Sequence, residues 1–135
     1  MDPDATLNEL EGPGWADPDY SSRMVQRIRA LGQIPLREFT AEDYRLIITQ
    51  QRALATLVPL ALDLLEAEPF AEGDLYAGDL LAAVANVRPE FWEAQPDLRA
   101  RAKRVLAAAI SRLDELEAFD RELLEPQVRA SYDRF

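Results

Sequence analysis

The segment LATLVPLALDLLEAEPFAEGDLYAGDLL, residues 54–81, sets the plan of this chain, because a long apolar run leads directly into an acidic, glycine-containing loop. Within residues 57–66, the only polar residues are Asp63 and the last one, Glu66. A helix that is apolar on every side is typical of the middle of a domain. We therefore predict a buried central helix at about residues 57–66, with Thr56 as its N-cap and Pro59 in its first turn.

Negative charge collects where this helix ends. No basic residue occurs between Arg52 and Arg88, and the same interval contains six acids: Asp63, Glu66, Glu68, Glu72, Asp74 and Asp79. The exit from the apolar segment should therefore be a concentrated negative surface.

Helical spacing of apolar residues continues on both sides of this segment. One further helix is predicted after Ser21 or Ser22, with Met24, Val25, Ile28 and Leu31 on one face. Two more are predicted after the N-caps Thr40 and Asp79. The last two are predicted after Pro96 and at about residues 119–132, the latter with a kink or boundary at Pro126. No useful length of sequence alternates with period two. We predict an all-α fold: one compact domain, residues 1–135, of about five to seven helices around the central one.

The N-terminal stretch, residues 1–20, is predicted to be an acidic clip that Trp15 anchors to the domain. The polar cluster from Gln50 to Arg52 leaves two alternatives open, a buried bridge to the central helix or a solvated helix end. Arg99, Arg101, Lys103 and Arg104 form a basic stripe that is expected on an outer helix face.

The composition excludes several functional classes. The chain has neither Cys nor His, which removes disulfides, thiol nucleophiles, the usual zinc sites and the usual general base. The net charge of −10 disfavours direct binding to nucleic acid or to an anionic membrane. The acidic N-terminus lacks a signal-peptide pattern and no apolar run is long enough to span a bilayer, so we expect a soluble cytoplasmic protein.

Carboxylates are the only remaining candidates for chemistry. Glu72, Asp74 and Asp79 are residue types that hold Mg²⁺ or Ca²⁺, but their spacing does not match a calcium-binding loop. We predict no catalytic residue, no metal site and no cofactor. A solvated or helix-capping role and a role in contacting a partner both remain open for these acids.

Four segments, taken in chain order, resemble a known family: TLNELEGPGWADPDY, PLREFTAEDYRLIITQQ, LVPLALDLLEAEPFAEGDLYAGDLL and the later EFW. Together they are similar to the immunity proteins of bacterial contact-dependent growth inhibition (CDI) systems. The resemblance extends from Thr6 to about Trp92 and is weak in the last two helices.

This resemblance implies a non-catalytic, cytoplasmic protein that binds and neutralises the toxin domain of a CDI exoprotein. Such toxins are often nucleases with basic active sites, so the partner is expected to be a basic protein domain. We expect a monomer that forms a 1:1 complex, with the oligomeric state left open. The predicted toxin-contacting residues are Glu72, Asp74, Tyr76 and Asp79 of the acidic loop, together with Asp17 and Asp19.

Two other functional classes are compatible with the residues. The apolar stripes of the last two helices would suit an oligomerisation or adaptor module. The carboxylates of the loop would suit a metal-dependent hydrolase that works without His or Cys, which is the weaker alternative because it needs a bound cation.

Overall fold

The computed structural model describes residues 2–12, 15 and 23–135, and over these ranges it contains eight α-helices and no β-strand. The helices are α1 (Leu7–Glu11), α2 (Arg23–Leu31), α3 (Ala41–Thr49), α4 (Leu54–Ala67), α5 (Asp79–Ala85), α6 (Pro89–Ala94), α7 (Pro96–Ser111) and α8 (Ala118–Arg134). The all-α prediction is confirmed. The count exceeds five to seven because the turns around Leu7 and Phe91 are complete short helices.

Two helices form the centre of the domain. α4 buries one face, including Leu57, Leu62 and Leu65, but Asp63 and Ala67 are exposed. The short helix α5 is buried at every one of its residues and contacts α3, α4, α7 and α8. The predicted central helix is therefore in the core, but the helix that is enclosed on all sides is α5.

The start of α4 differs from the predicted one. The helix begins at Leu54, one residue after Ala53, whose φ of +52° places it in the left-handed region. Thr56 is thus inside the helix rather than its cap, and its hydroxyl donates to Glu11 Oε1 at 2.9 Å, which ties α1 to α4. Pro59 falls in the second turn, where it removes the amide that would bond to the carbonyl of Ala55.

The N-terminal helices pack largely as predicted. Val25, Ile28 and Leu31 of α2 are buried, but Met24 is 45% exposed because its position turns away from the shared face. α3 starts with a capping box: the amide of Asp43 donates to Thr40 Oγ1, and the amide of Thr40 donates to Asp43 Oδ2. The Thr40 N-cap is therefore confirmed.

Trp15 packs on the domain, as predicted, while residues 1, 13–14 and 16–20 of the predicted clip lie outside the described residues. The Trp15 indole Nε1 donates to Asn8 Oδ1 at 2.7 Å, and Arg52 Nη1 donates to the Trp15 carbonyl at 2.8 Å. The ring packs against the core beside Gly32, where an added Cβ would lie 2.9 Å from Trp15 Cζ2. Glycine at position 32 therefore leaves the room that the Trp15 ring and the Asn8 side chain occupy.

The polar cluster after α3 makes a bridge, but not to the central helix. Gln51 Nε2 donates to the carbonyl of Asn86 at 3.2 Å, and the amide of Arg88 donates to Gln51 Oε1 at 3.0 Å. Gln51 therefore joins the end of α3 to the end of α5.

Three of the four cations in the basic stripe on α7 bind neighbouring helices, which corrects the prediction, whereas Arg104 is exposed as predicted. Arg101 donates to Asp63 and Glu66 of α4, with Nη2 at 2.7 Å from an oxygen of each. Arg99 and Lys103 donate to carbonyls at the end of α8. These cations fasten α7 to its neighbours because each finds an acceptor on an adjacent helix.

α8 runs unbroken through Pro126, so no boundary occurs there. Its buried side chains include Leu124 and Val128, whereas the apolar residues Phe119 and Leu123 are 68% and 39% exposed. Across the described ranges, no helix reaches the combination of length and hydropathy that a bilayer crossing requires.

Candidate functional site

The candidate site is the acidic loop, defined here as residues 68–78 between α4 and α5. Its ends are joined, because the amide of Gly78 donates to the carbonyl of Phe70 at 3.2 Å, and Glu72 pairs with Ala77 in an isolated antiparallel bridge. Residues 73–76 therefore form the turn at the outer end of the loop.

The outer end of the acidic loop presents two free carboxylates, Glu72 and Asp74, and an exposed apolar side chain, Leu75. Glu72 and Asp74 are exposed, and their carboxylates make no ion pair or hydrogen bond with any residue in the described part of the chain. Leu75 is 60% exposed. In contrast, Asp63 and Glu66 from the same acidic stretch are paired with Arg101.

Asp79 shapes the turn from inside. It is the first residue of α5, and its side chain is only 1% exposed. Oδ1 accepts from the amide of Gly73 at 2.6 Å, and Oδ2 accepts from the amides of Leu75 and Tyr76 at 2.9 and 3.4 Å. The Asp79 carboxylate is therefore occupied by the amides of the turn and offers little surface of its own to a partner. Its predicted role in contacting the toxin stays a prediction.

An ion pair on α3 supports the same turn. Arg45 donates through Nε and Nη2 to the two carboxylate oxygens of Glu42, both at 2.6 Å, and its Nε is 3.9 Å from Asp79 Oδ2. Glu42 Oε1 also accepts from the amide of Asp74 at 2.9 Å. The bond from Arg45 lowers the pKa of Glu42, with the Asp74 amide adding to the effect and partial burial opposing it.

The pKa of Glu42 predicts a specific acid sensitivity. A lowered pKa in the folded state stabilises the protein above the usual glutamate value of about 4.5, and this contribution is lost as the pH falls through the folded-state value. We expect urea unfolding to show that Glu42→Gln loses less stability than the natural chain between pH 5 and about pH 3. An equal loss of unfolding free energy in Glu42→Gln and in the natural chain over this pH range would contradict the prediction.

α8 supports the loop from a third side. Gln127 Nε2 donates to the Tyr76 hydroxyl at 2.8 Å and to the carbonyl of Leu123 at 2.8 Å. Leu124 packs against Gly78, whose φ is +92°. The loop is thus held by α3, α5 and α8, which keeps its exposed residues in one arrangement.

Gly78→Ala is expected to destabilise the protein by about 2 to 4 kcal/mol, because the new Cβ would add strain at positive φ to a collision with a packed side chain. That Cβ would lie 2.3 Å from Leu124 Cδ2. Urea unfolding of Gly78→Ala, Leu124→Ala and the double variant would separate the two causes. The glycine substitution should cost less when Leu124 is already alanine. An equal cost in both backgrounds would show that the collision does not occur.

Glu72, Asp74, Tyr76 and Asp79 all come together at the loop, although Asp79 points inward. Asp17 and Asp19 lie outside the residues that the structure describes. Leu75, Glu42 and Arg45 were not predicted. The Glu42 and Arg45 pair was visible as opposite charges at i,i+3 spacing on a helix, whereas only an isolated apolar residue within acidic sequence marked Leu75.

The geometry suits binding of a protein surface. Within the described ranges, no group of three or more acidic side chains is arranged to hold a metal ion. A cleft of about 200 Å³ beside the turn is lined by Arg45, Thr49, Leu75, Tyr76 and Asn86, among others. This volume is below the range typical of small-molecule pockets and suits a single side chain from a partner.

A family model described as CDI immunity proteins matches residues 9–102, which include the whole acidic loop. No individual curated protein and no solved structure matches the chain significantly.

Proposed function

The chain belongs to the CDI immunity proteins, and from this premise we propose that it neutralises a cognate nuclease toxin domain by placing the acidic loop over the toxin's active site or substrate groove. The observation that carries the proposal is the pair of free carboxylates, Glu72 and Asp74, beside the exposed Leu75 on a loop supported from three sides.

The electrostatic part of the proposal follows from what a nuclease binds. A groove that holds a nucleic acid backbone is lined with positive charge. Glu72 and Asp74 offer the complementary charge, and the net charge of −10 extends the attraction beyond contact distance. Complementary potentials mainly raise the association rate and exclude wrong partners. Asp17 and Asp19 are proposed to add to this field.

Affinity is proposed to come from apolar contact and from the fixed shape of the loop. Leu75 is the exposed apolar residue next to Asp74 in the turn, and the cleft beside it can receive a toxin side chain. Because Asp79 already orders the amides of the turn, little conformational entropy is lost on binding. Asp79 is therefore proposed to position the loop, while Tyr76 contributes its partly exposed ring.

The protein is proposed to act in the cytoplasm, as a monomer in a 1:1 complex, and by binding alone. The direct test uses the toxic C-terminal domain encoded immediately upstream of this chain's gene. We expect coexpression of this chain to restore growth of a host that expresses the toxin. Titration of the purified proteins should give a 1:1 complex with a nanomolar Kd, about −12 kcal/mol.

The test separates the parts of the proposal. If the toxin kills regardless and the proteins do not bind, the immunity function is wrong for this pair. If they bind and growth is restored but the toxin leaves DNA and RNA intact, only the nuclease assignment is wrong.

A further inference from the structure

Five large apolar side chains are conspicuously exposed in the described part of the chain: Leu10, Met24, Leu75, Phe119 and Leu123. Three of them, Leu75, Phe119 and Leu123, lie on two elements that a hydrogen bond between Tyr76 and Gln127 joins, the loop turn and α8. Isolated exposed apolar residues are ordinary, but adjoining ones mark interaction surfaces.

Gln127 links the two elements. Its Nε2 donates both to the Tyr76 hydroxyl and to the carbonyl of Leu123, each at 2.8 Å, so the middle of α8 lies beside Tyr76 of the loop turn. Phe119 is one helical turn before Leu123 and shares its side of α8. We call the resulting surface, formed by Leu75, Tyr76, Leu123 and Phe119, the apolar strip.

The neighbouring faces of α8 are already occupied. Leu124 and Val128 are buried in the core. On another side, Glu125 pairs with Arg121 at 2.8 Å and with Arg129 at 2.7 Å. Within the described residues, Phe119 and Leu123 are therefore the large apolar side chains of α8 that are exposed, and they are its contribution to the apolar strip.

We propose that the apolar strip is the second half of the toxin interface and determines which toxin this chain recognises. The inference rests on the proposed function. Its occupant is an apolar patch on the toxin domain next to the basic groove, because the strip adjoins the free carboxylates that face the groove. Charge attracts basic proteins in general, whereas the fit of apolar side chains discriminates between them.

The extent of the family match supports this division. Residues 9–102 include Glu72, Asp74 and Leu75, but the match ends before α8 begins at Ala118. The acidic loop thus lies in the part that the family shares, and two of the four strip residues lie outside it. An acidic loop shared by the family, combined with an apolar strip particular to this chain, gives selectivity for one toxin.

The test compares Phe119→Ala/Leu123→Ala with the matched control Leu10→Ala/Met24→Ala, which removes exposed apolar side chains from α1 and α2. The probe is the purified toxic domain encoded upstream, measured by surface plasmon resonance. We expect the strip variant to dissociate at least about tenfold faster. Its association rate should keep the salt dependence of the natural chain, and the control should bind normally.

The possible results distinguish this inference from the proposed function. Normal dissociation of the strip variant, with tight binding by the natural chain, overturns the strip and leaves the immunity function intact. Failure of the natural chain to bind overturns both. A concentration-dependent dimer in sedimentation that the strip variant abolishes, with toxin dissociation unchanged, would assign the strip to a second copy of the chain and overturn the inference.

Discussion

Asp79→Asn should destabilise the folded chain by about 2 to 4 kcal/mol and weaken toxin binding, although the side chain it alters is buried. The two carboxylate oxygens accept from the amides of Gly73, Leu75 and Tyr76. An asparagine of the same shape has one acceptor oxygen, and its NH₂ group would face a backbone donor. Arg45 would lose one of its three negative neighbours, Glu42, Asp74 and Asp79, as well.

Urea unfolding measures the first part of this prediction, with Glu72→Gln as the control. Glu72 is exposed and unpaired, so its neutralisation should change stability by less than about 0.5 kcal/mol. Amide hydrogen exchange gives a local measurement, since the amides of Gly73 and Leu75 should exchange faster in Asp79→Asn. If Asp79→Asn were as stable as the natural chain, and the amides of Gly73 and Leu75 exchanged no faster, Asp79 would not hold the turn.

Glu72→Lys/Asp74→Lys is expected to slow association with the toxin by about 10- to 100-fold at low salt, while the fold stays stable. Both carboxylates are exposed and make no ion pair or hydrogen bond within the described ranges, so the only internal interaction lost is the through-space attraction between Asp74 and Arg45. The two lysines would change the electrostatic interaction between the acidic loop and the basic groove from attraction to repulsion. The difference between the variant and the natural chain should shrink as salt is added, because salt screens exposed charges.

The control for this reversal is Glu90→Lys/Glu93→Lys on α6. These glutamates are also exposed and unpaired, and the two double variants change the net charge equally. Stopped-flow association at low and high salt should show a much smaller effect for the control. Equal slowing by both variants would mean that total charge, rather than the acidic loop, governs the encounter.

The parts of the fold that local sequence determines were predictable. The Thr40 N-cap of α3 and the apolar periodicity of α7 depend on residues a few positions apart, and the structure confirms both. The burial of α5 was underestimated because its alanines carry little hydrophobic signal. They are buried because α3, α4, α7 and α8 surround them, which no local pattern shows.

Predicting the site required contacts between distant residues. The sequence identified the acidic stretch, but it could not show that Asp63 and Glu66 pair with Arg101, which lies more than thirty positions away. Nor could it show that the chain turns back so that three amides converge on Asp79. Counting charges along the sequence therefore overestimated the free negative surface. The exposure of Leu75 depends on the three-dimensional shape of the turn, which the sequence alone does not show.

The most direct test of the central claim, that the acidic loop contacts the toxin, is photo-crosslinking from position 75. Leu75 would be replaced by p-benzoylphenylalanine, which its 60% exposure should accommodate, and Met24, 45% exposed on α2, would carry the same probe in a control. With the purified toxin domain, we predict a covalent adduct from position 75 and none from position 24. An adduct from position 24 alone, in a complex that forms normally, would contradict the account.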